Sequence, residues 1–182
     1  MTDLHKILLT LDLDETLIYS SESKLYYPED FIVGEYFVYK RPGLEKFLDF
    51  VSGHFDVAIW TSSTEDYAQD IVKNIVPENY SLHFIYGRTK CTLKYLFDYY
   101  EYVYLKNLSK LKRLNYSLER ILIVDDSPEK IRMNYGNHIG VVPFTGSKAD
   151  NELFLLIKYL DKIKSISNVR KIEKRGWRSE IK

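Results

Sequence analysis

The stretch Ile7-Leu8-Leu9-Thr10-Leu11-Asp12-Leu13-Asp14-Glu15-Thr16-Leu17 constrains this chain more than any other. It begins as an apolar run rich in Ile and Leu, the pattern of a strand buried on both faces of a parallel sheet. It ends in two aspartates spaced by one residue, with a threonine two further on. In open α/β sheets, ligands bind just outside the carboxyl ends of the strands. Residues i and i+2 of a strand point the same way, so Asp12 and Asp14 are expected to face one site. A lone pair of aspartates would equally serve as a turn or a helix cap, so the argument depends on matching pieces downstream.

Three such pieces follow. Phe55 to Trp60 reads as a second buried strand and ends in Thr61-Ser62-Ser63-Thr64, of which one hydroxyl is expected to cap the following helix. Leu82 to Tyr86 reads as a short third strand. Gly87 to Leu105 alternates and is aromatic, which predicts a small antiparallel insert with Lys106 at its end. Ile121 to Val124 is the cleanest buried strand and ends in Asp125-Asp126-Ser127-Pro128, with Asp126 or Ser127 as N-cap and Pro128 at the first helical position. Ile139 to Val142 completes the set as a fifth short strand.

Between these strands lie helices. Leu44, Phe47, Leu48 and Val51 recur at helical spacing after Arg41-Pro42-Gly43, as do Ala68, Ile71, Val72 and Ile75 before Pro77. A last helix is expected from about Ala149 to Ile163, with Leu153, Leu156, Ile157 and Leu160 on its buried side. Residues 18 to 40 read as a β-hairpin flap with a turn near Gly34, placed to cover the aspartates. The fold class is therefore α/β, a Rossmann-like parallel sheet sandwiched by helices. Residues 1–164 form the domain, with its insert at about 87–105. Residues 165–182 lose helical periodicity and carry six basic residues against two acidic ones, the pattern of a solvated basic tail. Docking of an acidic or phosphorylated partner is the functional alternative for that tail.

Composition bounds the function. The chain has 182 residues, enough for one domain with a sizeable core. Lys+Arg and Asp+Glu are both 26, so no global charge draws it to nucleic acid or membrane. No apolar run approaches the roughly 20 residues of a membrane helix. The start of the chain enters a strand within a few residues, which leaves no room for a targeting peptide. One cysteine precludes an intrachain disulfide, and a reducing, intracellular compartment (cytoplasm or nucleus) is expected. A cysteine-based phosphatase would need an arginine six residues after Cys91, where Phe97 stands.

An Asp pair, a hydroxyl cluster, a lysine and a second Asp pair at successive strand ends suit a phosphoryl group and a hard cation. Mg²⁺ takes oxygen ligands and usually one or two carboxylates plus phosphate and water, which Asp12 and Asp126 can supply. A carboxylate can attack phosphorus covalently. A lysine and a hydroxyl can hold the equatorial oxygens, and a second carboxyl can move the proton.

These motifs resemble those of the haloacid dehalogenase (HAD) superfamily. They are more closely similar to those of the small RNA-polymerase C-terminal-domain phosphatases, the NLI-interacting-factor-like family. The resemblance rests on Asp12-Leu13-Asp14-Glu15-Thr16, Arg41-Pro42-Gly43, Trp60-Thr61-Ser62-Ser63, Lys106-Asn107-Leu108-Ser109-Lys110-Leu111 and Val124-Asp125-Asp126-Ser127-Pro128. It covers roughly residues 5 to 160. It implies a HAD-like fold without a large cap and a Mg²⁺-dependent phosphatase of phosphoserine or phosphothreonine in protein or peptide partners. By the same resemblance Asp12 is nucleophile and metal ligand. Asp14 is general acid/base, with its carbonyl on the metal, and Asp126 completes the metal shell. Thr61, Ser62 and Lys106 bind phosphate, and Thr16, Arg41 and Asp125 support the site. No direct nucleic-acid partner is implied.

Asn107 departs from the family's usual Asp and is expected to loosen a contact to Lys106. The aromatic insert also departs from the family's short form. An aspartic acid ordinarily titrates near 3.9, so a proton-donating Asp14 must be raised by its neighbours, notably the substrate dianion, and a mildly acidic optimum is expected. Two rival readings are a non-catalytic peptide-binding module of the same fold and a small-molecule HAD phosphatase. The first predicts loss of an acidic residue and a membrane anchor, neither of which the sequence shows. The second is disfavoured by the missing cap.

Overall fold

The structure is a computed structural model and describes residues 6–181. In chain order, β1 (Leu8–Leu11) leads into a flap of β2 (Ile18–Ser21), β3 (Phe31–Val33) and β4 (Tyr36–Lys40). Then follow α1 (Leu44–His54), β5 (Asp56–Trp60), α2 (Glu65–Ile75) and β6 (Ile85–Tyr86). The insert is the hairpin β7 (Thr92–Leu96) and β8 (Glu101–Leu105). The chain closes with β9 (Ile121–Asp125), α3 (Pro128–Ile131), β10 (His138–Gly140) and α4 (Glu152–Ile163), joined by short 3-10 turns.

The central sheet runs β10-β9-β1-β5-β6, all parallel. β1 is buried at all four residues and takes the middle. Alternation along each strand sorts its side chains onto two faces. Leu9, Leu11, Val57, Ile59, Leu122 and Val124 meet the apolar sides of α1, α2 and α4 in the larger core. Leu8, Ala58, Trp60, Ile121 and Ile123 meet Leu108, Leu111 and Ile131 on the other face. Helices thus cover both sides, although the second face is covered by a 3-10 turn and one short helix. β6 is shorter than the expected 82–86, yet residues before it still bond to β5, with Ile59 N–H donating to the Phe84 carbonyl at 3.0 Å.

Register decides where the site lies. Leu11 is level with Ile59 in β5 and with Val124 in β9. The next residues, Asp12, Trp60-Thr61 and Asp125-Asp126, therefore emerge along one edge. The Asp12 N–H continues the ladder to the Val124 carbonyl at 3.0 Å. The flap is a three-stranded antiparallel sheet, β2-β4-β3, attached directly beside this edge. Its tight turn carries Gly34 at φ +58°, a conformation that favours glycine.

Arg41, 1% exposed, ties the flap's exit to the site loop. Its guanidinium forms a fork with Asp150 (2.9 and 2.8 Å) and donates to the carbonyls of Thr16 (3.0 Å) and Val142 (2.7 Å). Its supporting part is thus structural bracing, behind the site rather than in it.

The segment after residue 164 differs from the solvated tail that its pattern implied. Val169 and Trp177 are buried in the main core. The Trp177 indole packs on Tyr159, with ring centroids 5.4 Å apart, and donates to the Gly140 carbonyl at 2.8 Å. Arg178 pairs with Glu152, which is itself buried. The segment lacks helical periodicity because its apolar residues fill one gap beside α4 from turns rather than from a helix. None of the described helices is long and apolar enough to cross a membrane. Trp177→Ala is expected to lower unfolding free energy by about 3–5 kcal/mol, measured by chemical denaturation. A change under about 0.5 kcal/mol would be the signature of a solvated tail.

Candidate active site

Asp12 leaves β1 almost completely buried, at 1% exposure. Its Oδ1 accepts the Leu13 N–H at 2.9 Å and lies 2.8 Å from Lys106 Nζ. Among the described residues its Oδ2 has no donor. The chain then reverses sharply: the N–H groups of Thr16, Leu17 and Ile18 all point to the Leu13 carbonyl. Glu15 takes a left-handed φ of +54° to make that bend, a conformation costly for a residue with a Cβ and found mostly where the surroundings enforce it. Thr16, fully buried, donates to Asp126 Oδ1 at 3.3 Å and so joins the first acidic pair to the second.

Lys106 is set at the end of β8, where its N–H donates to the Lys130 carbonyl. Its ammonium is fully buried and is clamped between Asp12 and Asp125. Burial alone would lower its pKa, but the two carboxylates outweigh that and raise it, so it stays charged. Asp125 is committed at both oxygens, one to Lys106 and one to the Ser127 N–H at 2.9 Å. Burial, then Asp12, pushes the Asp125 carboxyl up, and Lys106 and Lys130 oppose this.

Asp14 turns to a different set of partners and lines an open cleft. Its Oδ1 accepts from the Tyr67 hydroxyl at 2.6 Å and its Oδ2 from the Ser63 hydroxyl at 2.8 Å. Ser20, from the flap, lies 2.5 Å from the Tyr67 oxygen and completes a chain of hydroxyls. The elevation expected for Asp14 is present without any substrate. Its leading cause is burial, opposed by the Tyr67 and Ser63 hydrogen bonds. Glu15 beside it is pushed up to about 7, first by burial and then by Asp14 and Asp126. The open side of the cleft is formed by Asp14, Glu15, Ser20, Ser63, Tyr67 and Arg88.

The hydroxyl cluster after β5 divides its labour in a way that the sequence did not reveal. The Thr61 hydroxyl, buried, accepts from the Ser63 N–H at 3.1 Å. Ser62 presents its carbonyl to Arg88 at 2.8 Å, and it is Ser63 that reaches Asp14. Thr64 occupies the N-cap of α2, but no side chain caps that helix, so the expected capping hydroxyl is absent. Ser127 likewise occupies the N-cap of α3 without a side-chain bond to the helix. Asn107 accepts from the Ser109 N–H at 3.1 Å and caps the 3-10 turn 108–114. It makes no bond to Lys106 among the described residues.

Three residues with clear chemistry went unread in the sequence. Lys130 is a second cation at the site: burial lowers its pKa, but Asp12 and Asp125 raise it further. It was legible as a lysine in the first turn after Asp125-Asp126-Ser127-Pro128. Tyr67 was legible as a tyrosine in the first turn of α2, and Ser63 as one of the hydroxyls just before it.

Carboxylate oxygens of Asp12, Asp125 and Asp126 lie within 4.8 Å of one another, close enough to hold a metal ion. Five carboxylates (Asp12, Asp14, Glu15, Asp125 and Asp126) gather here against Lys106, Lys130 and, at the open side, Arg88. That surplus of hard oxygen donors fits a divalent cation such as Mg²⁺ or Ca²⁺ rather than a soft metal.

Comparison with known proteins agrees with the geometry. The NLI interacting factor-like phosphatase family matches residues 7–170. The chain is 36% identical over 172 residues to CTD small phosphatase-like protein 2 of Dictyostelium discoideum, covering 91% of this chain and 29% of that protein. It is 32% identical over 183 residues to the CTD nuclear envelope phosphatase 1 homolog of Drosophila melanogaster, covering 92% and 72%. Among solved structures, Fcp1, described as an essential RNA polymerase II CTD phosphatase, superposes with a TM-score of 0.60 at 18% identity, over 91% of this chain and 52% of that one. A haloacid dehalogenase-like hydrolase from Bacteroides fragilis gives 0.54 at 13% identity, over 79% and 90%. Both structures share the fold. The extent of the family match and the identity to relatives place this chain in the NLI interacting factor-like phosphatase family of the HAD fold.

Proposed function

We propose that this chain is a Mg²⁺-dependent phosphatase of phosphoserine or phosphothreonine in protein segments, working through an aspartyl-phosphate on Asp12. The observation that carries this reading is the pairing of two unlike carboxylates. Asp12 is held by a buried lysine, whereas Asp14 is held by hydroxyls and raised by burial. Surroundings so different suit one for attack and the other, raised by burial, for proton transfer.

In this reading an Asp12 carboxylate oxygen attacks phosphorus, a P–O bond to the carboxylate forms, and the ester P–O bond breaks. Asp14 gives its proton to the departing serine or threonine oxygen. It then takes a proton from the water that cleaves the acyl phosphate, which regenerates Asp12 and releases phosphate. Lys106 and Lys130 offset charge on the phosphoryl oxygens, and Thr61 and Ser62 line the edge where those oxygens would rest. Asp12, Asp126 and the Asp14 carbonyl would hold Mg²⁺, because both Asp125 oxygens are already committed. Bound there, the ion would neutralise charge on the phosphoryl group. The open cleft, without a large cap, favours a peptide over a small metabolite.

The first test is hydrolysis of an aryl phosphate at mildly acidic pH, followed by phosphoserine, phosphothreonine and phosphotyrosine peptides. The native chain should turn over only with Mg²⁺, stop with excess chelator, and lose activity in Asp12→Asn. A folded, metal-binding native chain without turnover would favour the peptide-binding module instead. Tyr67→Phe should lower kcat by about tenfold to a hundredfold with little change in KM, since a hydrogen bond to a charged group is worth about 1.5–3 kcal/mol and Asp14 would lose one of two. Asn107→Asp should leave both kcat and stability unchanged, because Asn and Asp cap equally well.

A further inference from the structure

A second groove opens on the far side of the acidic cluster. It begins at Asp126 and His138 and runs between the α3 end of the sheet and the C-terminal segment, past Arg132, Tyr135 and Lys174. Adjoining it is a basic trough lined by Arg132, Arg170, Lys171 and Lys174. The two parts share Arg132, Tyr135, Glu173 and Lys174. This is a local concentration of positive charge on a chain whose basic and acidic residues are equal in number.

The lone carboxylate of the trough is already engaged. Glu173 accepts from the Tyr135 hydroxyl at 2.6 and 2.8 Å and pairs with Arg175 at 3.0 Å. Arg175 in turn lies over the Tyr135 ring at 5.3 Å. Arg132 reaches Asp98 of the insert at 3.2 Å, an exposed and therefore weak pair. Arg170 and Lys171 are exposed and make no close ion pair among the described residues, although Glu119 lies near enough to Arg170 to feel its charge. Arg170 lies along Gly136, where a Cβ would meet its side chain at 3.5 Å. Lys174 is 3% exposed, and its ammonium donates to the carbonyls of Val169 (2.6 Å) and Ile172 (2.8 Å). An ammonium has three donors, so one remains. A buried ammonium bonded to two carbonyls, beside the exposed Arg170 and Lys171 and a groove, is arranged to receive an anion.

We propose that this trough binds a second phosphate or acidic side chain of the substrate, displaced along the peptide from the phosphoserine or phosphothreonine at Asp12. The proposal rests on the phosphatase reading and narrows its substrate class to segments that are multiply phosphorylated or acidic on one flank. A membrane would meet a convex surface, whereas these cations line a concavity that leads to Asp126. Only a ligand that also enters the active site gains from both ends. Arg and Lys recognise phosphate through charge-assisted hydrogen bonds, so the added anion improves capture rather than chemistry.

The test compares singly phosphorylated peptides with peptides carrying a second phosphate at successive positions, on the native chain and on Arg170→Glu/Lys171→Glu. Native KM should fall about tenfold at a restricted set of spacings, with kcat unchanged. The double variant should lose that preference while its aryl phosphate turnover stays native, which shows that it is folded. A native chain indifferent to the second phosphate, or a preference that survives in the variant, would overturn the proposal. So would sedimentation with anionic phospholipid vesicles that the variant loses, if no peptide preference accompanies it. Should the chain hydrolyse nothing, anisotropy of a labelled doubly phosphorylated peptide still decides: tighter binding by native than by variant supports the trough, and equal binding sinks it.

Discussion

The Lys106 ammonium, buried between Asp12 and Asp125, is the interaction on which the rest depends. Two carboxylates at the ends of neighbouring parallel strands repel each other, and burial intensifies the repulsion. A cation placed between them offsets that repulsion while the strands remain paired. Removing one member of such a group leaves an uncompensated buried charge, at a cost of about 3–5 kcal/mol. The insert therefore has a role beyond surface decoration. β8 delivers Lys106, so this hairpin, although an excursion from the main sheet, supplies the charge that lets the sheet's centre carry acid at its tip.

Around that clamp the site is built by register. Leu11, Ile59 and Val124 lie level, so the residues that follow them share an edge whatever the loops do afterwards. Thr16 then ties the first acidic pair to Asp126, and Arg41 braces the loop from behind through Asp150. The two aspartates of the first motif end up in opposite surroundings, one beside a cation and one among hydroxyls. Asp14 bonds to Ser63 and to Tyr67 of α2 just before the sharp reversal at Glu15.

Much of this was legible in the residues. The apolar runs located the parallel strands, and the helical periodicity of Leu44-Phe47-Leu48-Val51 and Ala68-Ile71-Val72-Ile75 located α1 and α2, because core packing imposes its period on any element it buries. The polar residues at strand ends could be located but not individually oriented. Ser62 and Ser63 are adjacent and chemically identical, and only the path of the chain into α2 decides which reaches Asp14. The C-terminal segment was misread for a different reason. Val169 and Trp177 pack from turns, so their contacts follow the shape of a gap rather than a repeat, and no period exists to detect. Asn107 shows the reverse case, a departure from a motif that the local backbone absorbs as a cap.

The order in which the sheet is threaded has a consequence for biosynthesis. β1 is made more than a hundred residues before β9, one of its two hydrogen-bonding neighbours, and Trp177 seals the core beside α4 later still. Contacts so distant in sequence close slowly. Until they do, an apolar strand with unpaired edges stays exposed to other nascent chains. The apolar run Ile7 to Leu11 is thus the segment whose pairing is completed last relative to its own synthesis.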